Sequence, residues 1–340
     1  MRAGRRPPQE LIAGALDGDR RALAQLISLI ETDPASAAEC TLQLHPRAGR
    51  AALVGVTGPP GTGKSTLVSE LAKLFRRRGQ TVGVVAVDPT SPFSGGAILG
   101  DRIRMRDLSG DEGVFIRSMA TRGSLGGLAR STADVVRALD AAGFNVILIE
   151  TVGAGQSEVE IARTAATVLV VEAPGLGDEV QAIKAGILEI ADVLVVNKAD
   201  RDGAENTVRA LQAMLDLGRA PSAALHHGQL MPVDQTGAQD QPGLAQGWRP
   251  PIVRTIAIEG KGIDDLVAAI DQHRAYLEAG GAGRARRRMR AASELETILR
   301  ETLLERLAQQ VGRDGMQDVV DRVAAREIDP YTAARTLIDS

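Results

Sequence analysis

Gly58-Pro59-Pro60-Gly61-Thr62-Gly63-Lys64-Ser65 stands between the apolar run Leu53-Val54-Gly55-Val56-Thr57 and the segment Thr66-Leu67-Val68-Ser69-Glu70-Leu71, which reads as a helix. Strand, glycine-rich loop and helix follow with the spacing G-x-x-x-x-G-K-[ST] of a phosphate-binding loop. The glycines let the backbone wrap closely enough for its N–H groups to point at phosphate oxygens. The start of the helix adds unpaired donors and a favourable dipole. Lys64 places a point charge on the β- and γ-phosphates, and the Ser65 hydroxyl is suited to ligate Mg²⁺. A glycine-rich turn with a surface lysine would not explain a strand and a helix in register on either side. Residues 58–66 are therefore the candidate phosphate site, and the chain is expected to bind a nucleoside triphosphate.

Outward from this loop, residues 51 to about 275 alternate apolar strands with amphipathic segments. Strands are expected at 53–57, 82–87, 114–117, 145–150, 167–172, 192–197 and 252–257. Helical stretches are expected at 64–78, 101–109, 126–142, 178–190, 204–216 and 262–277. Such alternation predicts an α/β fold with a mostly parallel sheet covered on both faces, and ligands beyond the carboxyl ends of its strands. Residues 218–250 are rich in Gly, Pro and Gln and show no period.

Three motifs fall at the strand ends where such a ligand sits. Val195-Val196-Asn197-Lys198-Ala199-Asp200 ends a strand with N-K-x-D. A carboxylate at Asp200 can accept from both N1–H and the exocyclic amino group of guanine, whereas adenine lacks the first donor and misplaces the second. An unpaired buried carboxylate is costly, so the site selects GTP over ATP. Asn197 and Lys198 would brace the loop and cover the base. The strand at 82–87 leads into Asp88, and the strand at 145–150 into Glu150-Thr151-Val152-Gly153, where a small GTPase would show D-x-x-G. Either acid can ligate Mg²⁺ directly or through water, or serve as a helix cap or turn residue. Gly153 can offer its N–H to the γ-phosphate. Between them, Phe93-Ser94-Gly95-Gly96-Ala97-Ile98-Leu99-Gly100-Asp101-Arg102-Ile103-Arg104 reads as a loop able to close over phosphates. Asp101 is a further Mg²⁺ candidate, direct or behind a direct ligand, while Arg102 and Arg104 would reach phosphates or form surface ion pairs.

The composition narrows the remaining classes. With 340 residues, 44% hydrophobic and 24% charged, the chain has the make-up of an ordinary globular protein. A formal net charge of -3 supplies no global attraction to nucleic acid or acidic membranes. Cys40 is the single cysteine, which rules out an intrachain disulfide or a thiolate metal cluster. Of four histidines only His226 and His227 are adjacent, weak grounds for a metal site. No run approaches the ~20 apolar residues a membrane helix needs, and Leu11 to Leu16 is too short for a signal peptide's apolar core. A cytoplasmic or equivalent reducing location is expected.

Both ends read as helical. Leu11, Ile12 and Leu16, then Leu23, Leu26, Ile27 and Ile30, recur at helical spacing, and Pro34 suits a first helical turn. Toward the other end Leu295, Ile298, Leu299, Leu303, Leu307 and Val311 stripe one long helix, with shorter pieces at 315–326 and 330–338. An arm this thin is better suited to self-association than to a core of its own. Arg284, Arg286, Arg287, Arg288 and Arg290 lie close to acidic residues with no interleaved aromatics, so they read as a solvated helix face rather than a nucleic-acid site. Three parts are thus expected: a helical extension over 1–46, a GTPase domain over 47–278 and a helical dimerisation arm over 279–340.

GPPGTGKST, VDPTSPFSGGAILGDRIRM, IETVGAGQSE and GDEVQAIKAGILEIADVLVVNKAD, together with the helical arm, resemble the MeaB/ArgK family of GTPases associated with methylmalonyl-CoA mutase. The resemblance spans about residues 8–338 and is dense across 53–200. It implies a GTPase domain with an N-terminal helical extension and a C-terminal dimerisation arm. It also implies a chaperone of adenosylcobalamin-dependent acyl-CoA mutases, in which GTP gates cofactor loading and the mutase is protected or reactivated. Mg²⁺-site roles carry over to Ser65, Asp88, Asp101 and Glu150, and base recognition to Asn197, Lys198 and Asp200. Asp178, Glu179, Gln181 and Lys184 match an additional switch loop that signals to the mutase. One departure touches the base: where S-A or T-[IM]-S is usual, this chain has Thr255-Ile256-Ala257, so the amide of Ala257 or of Ile258 is left to hold guanine O6.

The water-orienting glutamine that follows D-x-x-G in Ras-type enzymes is replaced by Ala154, with Gln156 nearest. Lacking such a group, or an arginine in cis, typically costs ~10³–10⁵ in rate. Slow intrinsic hydrolysis, quickened by a partner that orders the switch loops, is the expectation. Nickel delivery, a GTP-gated scaffold and phosphorylation of transport proteins are the rival readings.

Overall fold

The computed structural model describes residues 6–88, 105–108, 110–120, 125–151, 161–175, 189–217, 223–226, 229–232 and 247–339. They fall into two compact units that divide between Arg287 and Arg288.

The first unit is built on a seven-stranded sheet. Its strands are β1 (Ala52–Thr57), β2 (Val82–Asp88), β3 (Val114–Ala120), β4 (Val146–Thr151), β5 (Thr167–Glu172), β6 (Val193–Asn197) and, beyond the short antiparallel pair β7 (Ala223–His226) and β8 (Gln229–Pro232), β9 (Ile252–Thr255). Their spatial order is β3-β2-β4-β1-β5-β6-β9, with every pair parallel. All seven strands of the sheet stand where the apolar runs predicted them. The β7–β8 hairpin lies inside the stretch read as unpatterned, because four-residue strands leave too little alternation to detect.

Strand periodicity of two divides the core between the faces of the sheet. Ile147, Ile149, Val168, Val170, Leu194 and Val196 point to one side. There they meet α5 (Leu125–Ala141), α6 (Ala204–Leu217) and the N-terminal helices α1 (Pro8–Leu16), α2 (Arg20–Thr32) and α3 (Pro34–Leu44). Leu148, Leu169, Val171, Val193 and Val195 point to the other side, against α4 (Lys64–Arg77) and α7 (Ile263–Ala279). The N-terminal helices thus share a core with the sheet. Asp19 and Asp33 cap α2 and α3, each accepting from two backbone amides. The Asp140 carboxylate closes the linker into β1 by accepting from the amides of Gly49, Arg50 and Ala51 at 2.5, 3.1 and 3.0 Å.

At the entry to β6, away from the strand ends that carry the motifs, Asp192 gathers several elements. It accepts a bidentate pair from Arg286 at 2.7 and 2.7 Å and the amide of Val168 at 2.7 Å. Its backbone carbonyl accepts Trp248 Nε1 at 2.9 Å. His273 Nε2 lies 3.3 Å from its Oδ1, and His273 Nδ1 lies 2.9 Å from Thr167 Oγ1. Arg286 therefore leaves the group of arginines read as a solvated face. One arginine in that run is turned inward, and the run alone does not show which.

Burial lowers the His273 pKa below its ordinary 6.5, against the pull of Asp192 and with the help of Arg286. The unfolded chain takes up this proton first, so the contribution to stability is full above about pH 6.5 and is lost as pH falls through the lower folded value. Unfolding monitored between about pH 7.5 and pH 5 should show stability dropping on acidification, and less steeply in His273→Gln. Equal slopes for both proteins would refute this account.

The second unit, Arg288 to Ser340, is helical. Helix α8 (Gly281–Ala324) enters it and bends at Gly312, whose φ of 72° and ψ of 167° only glycine adopts readily. Helix α9 (Pro330–Asp339) is capped by Asp329, which accepts from the amides of Tyr331 and Thr332 at 2.9 and 3.1 Å. Leu295, Leu299 and Leu303 are 57%, 52% and 62% exposed, while Ile298, Leu307 and Val311 are half-buried. Among the described residues no helix is long and apolar enough to cross a membrane.

Candidate nucleotide site

The loop between β1 and α4 lies at the carboxyl edge of the sheet, and its course depends on its glycines. Gly58 sits at φ 137°, and a Cβ there would stand 2.1 Å from the carbonyl oxygen of Val171 on β5. Gly63 sits at φ 92°, where a Cβ would meet Asn197 Nδ2 at 2.6 Å. Both positions thus combine a backbone conformation costly to other residues with a close approach of another element. From the first turn of α4, the buried Lys64 reaches back to donate to the carbonyls of Gly58 and Pro59 at 2.8 and 2.9 Å. The fully buried Thr62 closes the same turn by donating to Pro59 O at 3.0 Å.

Ser65 and Glu150 are brought together across the sheet. The Ser65 hydroxyl donates to Glu150 Oε1 at 2.6 Å, and Glu150 is 4% exposed. Parallel pairing of β1 with β4, in which Val56 lies opposite Glu150, brings the two together. Beside them Thr151 donates to Thr57 at 3.0 Å, a buried hydroxyl pair that the motifs did not single out. Glu172, 6% exposed at the end of β5, is a second acid that sequence reading missed. It closes an apolar strand with no motif around it.

Asn197 is the structural centre of the base side. Its Nδ2 donates to Thr62 O at 2.8 Å, while its Oδ1 accepts from Thr255 Oγ1 at 3.0 Å and from Ala257 N at 3.1 Å. One buried amide side chain thereby joins the phosphate loop, the end of β6 and the loop after β9. Lys198, at φ 56°, donates to Gly61 O at 2.6 Å. Asp200 is exposed two residues further on, and its charge, after the bonded Glu259, helps raise the pKa of Lys261. Ala257 N–H, one of two amides left by the sequence to meet guanine O6, is already committed to Asn197.

Of the other predicted site residues, Asp88 ends β2 on the same edge of the sheet, and its side chain lies outside the described residues. Asp101, Gly153, Asp178, Glu179, Gln181 and Lys184 lie outside them as well. The predicted helix at 101–109 is described only as a 3₁₀ turn at Arg106–Leu108.

This arrangement can cradle a polyphosphate, place hard oxygen donors beside it and present a carboxylate to a base. Comparison with known proteins agrees. Residues 23–311 match the family model described as methylmalonyl-CoA mutase-associated GTPase MeaB. A putative GTPase of Pyrococcus abyssi is 47% identical over 97% of this chain and 95% of its own length. The mouse protein named methylmalonic aciduria type A homolog, mitochondrial, is 32% identical over 87% of this chain and 70% of its own. Among solved structures, one titled LAO/AO transport system kinase superposes with a TM-score of 0.68 at 27% identity, covering 98% of this chain and 96% of that one. The chain is a P-loop GTPase and belongs to the methylmalonyl-CoA mutase-associated GTPase family, MeaB.

Proposed function

We propose that this GTPase is a chaperone of an adenosylcobalamin-dependent acyl-CoA mutase of the methylmalonyl-CoA type, gating cofactor loading and protecting or reactivating the enzyme. The observation that carries the reading is the reach of the family match. It runs from Leu23, in the N-terminal helices, to Val311, in the arm, well beyond what nucleotide binding alone requires.

In this reading Lys64 and the amides of residues 58–66 hold the phosphates, Asp200 reads guanine, and Asn197 and Lys198 keep the base loop against the phosphate loop. The donor set of Ser65 and Glu150, two hard oxygens 2.6 Å apart, fits a magnesium ion, with Asp88 and Asp101 completing it. Such an ion would neutralise charge on the transferring phosphoryl group. Gly153 and the segment carrying Asp178, Glu179, Gln181 and Lys184 would report the γ-phosphate to the mutase. The exposed Leu295, Leu299 and Leu303 support pairing of two arms into a homodimer. We place the protein in the cytoplasm.

No cluster of three metal-ligating side chains among the described residues supports nickel delivery. The deciding experiment is GTP turnover by the purified protein with and without an adenosylcobalamin-dependent acyl-CoA mutase, using ATP as control. Slow turnover specific to GTP, rising at least about tenfold with the mutase, is expected. Turnover indifferent to the mutase would overturn the chaperone reading and leave the GTPase intact.

A further inference from the structure

The carboxyl ends of β1 and β4 are tied together on both faces of the sheet. Their backbone ladder runs from Ala52 opposite Val146 to Val56 opposite Glu150 and stops there. One residue beyond it, Thr151 Oγ1 donates to Thr57 Oγ1 at 3.0 Å, and both threonines are buried. Alternation along β4 turns Thr151 to the side of Ile147 and Ile149, and Glu150 to the side of Leu148 and α4. The Ser65–Glu150 bond therefore closes one face, and the threonine pair closes the other. Isoleucine and valine at 147, 149, 168 and 170 fill that second face by packing alone. A satisfied hydroxyl pair at its rim adds a fixed direction and distance, which apolar packing does not supply.

Each threonine adjoins a part of the nucleotide site. Thr57 precedes Gly58, where the phosphate loop begins, and Thr151 follows Glu150. Thr151 also lies opposite Val87 of β2, the residue before Asp88. We propose that Thr57 and Thr151 are positioning residues for GTP hydrolysis, whose bond fixes the separation of the phosphate loop from Glu150. The loop that starts at Thr57 carries Ser65, so this separation decides whether Ser65 and Glu150 can share one ion. Magnesium demands near-ideal octahedral geometry, and donors on two strand ends that slide apart meet it poorly. Loss of the bond then weakens the ion's hold and slows hydrolysis, while contacts to the base and to the first two phosphates stay.

The inference rests on the magnesium reading of Ser65 and Glu150, and one set of titrations separates their failures. Binding of a non-hydrolysable GTP analogue is measured against Mg²⁺ concentration, binding of GDP is measured in EDTA, and GTP turnover and thermal unfolding are recorded alongside. The proteins are Thr57→Val, Thr151→Val, the double valine variant, Thr57→Ser, Thr151→Ser and Glu150→Gln. Each single valine variant should need about tenfold more Mg²⁺ for half-maximal binding and lose about tenfold in kcat. Its KM for GTP at saturating Mg²⁺ and its GDP affinity in EDTA should stay within about twofold. The double variant should repeat the tenfold shift, not compound it to about a hundredfold, because the two hydroxyls act as one bond. It also strands no hydroxyl, so it tests the inference even if a single variant fails to fold. Serine at either place keeps a hydroxyl and should recover most of the loss. Lowered unfolding temperatures with Mg²⁺ dependence and kcat unaltered would reduce the pair to a structural contact and overturn the inference. An equal loss of GDP affinity in EDTA would overturn it too, since the phosphate loop itself would then be distorted. In either case a shift in Glu150→Gln leaves the magnesium reading standing, and no shift there overturns that reading as well.

Discussion

Exchanging Asp200 for asparagine is expected to weaken GTP binding by about 10²–10⁴-fold and to favour xanthosine triphosphate instead. The carboxylate can accept two hydrogen bonds from guanine, each charge-assisted and worth about 1.5–3 kcal/mol. Asparagine retains one acceptor and turns the other into an amino group that faces the guanine amine, donor against donor. Xanthine carries a carbonyl at that place and can accept from it. Because Asp200 is exposed, the substitution should leave thermal unfolding of the nucleotide-free protein close to unchanged. Competition binding with GTP, ATP and xanthosine triphosphate decides the matter. An unaltered order of preference would remove Asp200 from base recognition.

Local pattern made most of this fold legible. The strand that ends at Asn197 and the one that ends in Glu150-Thr151 each show an unbroken apolar run before a polar motif. A parallel sheet buries both faces, so such runs locate strands to within a residue or two. What remained hidden depends on contacts distant in sequence. Asn197 reads in the motif as a brace for its own loop, yet its bond to Thr62 spans 135 positions, and no periodicity encodes it. The same holds for Arg286, which looks like its neighbours until Asp192, 94 positions away, is seen to accept from both its terminal guanidinium nitrogens. Gly55 passes as an ordinary strand residue. In the fold its missing side chain leaves room for Ile161, which a Cβ would approach to 2.7 Å. Glu172 is hidden for the same reason: its surroundings come from the adjacent strand, where Val196 lies opposite it, and not from its neighbours in sequence.

Asn197→Ala should damage the fold of the nucleotide site more than any change to the base-reading carboxylate. The substitution deletes three buried hydrogen bonds and strands Thr62 O, Thr255 Oγ1 and Ala257 N, groups that had no water to lose. A buried polar group left unsatisfied costs about 1–3 kcal/mol, so with partial rescue by entering water a destabilisation of about 3–5 kcal/mol is expected. Affinity should suffer for every nucleotide, GTP and xanthosine triphosphate alike, by about 10²-fold, because the phosphate loop loses its link to the loop after β9. That uniformity separates the two residues: Asp200 chooses among bases, whereas Asn197 holds together the site that binds any of them. Asn197→Asp is the sharper variant. It keeps the acceptor for Thr255 and Ala257 but places an oxygen where Nδ2 donated to the carbonyl of Thr62, so acceptor would face acceptor. Losses near those of Asn197→Ala would show that the bond to Thr62 dominates. Unfolding and nucleotide affinity both unchanged in the two variants would mean that the phosphate loop keeps its shape without Asn197.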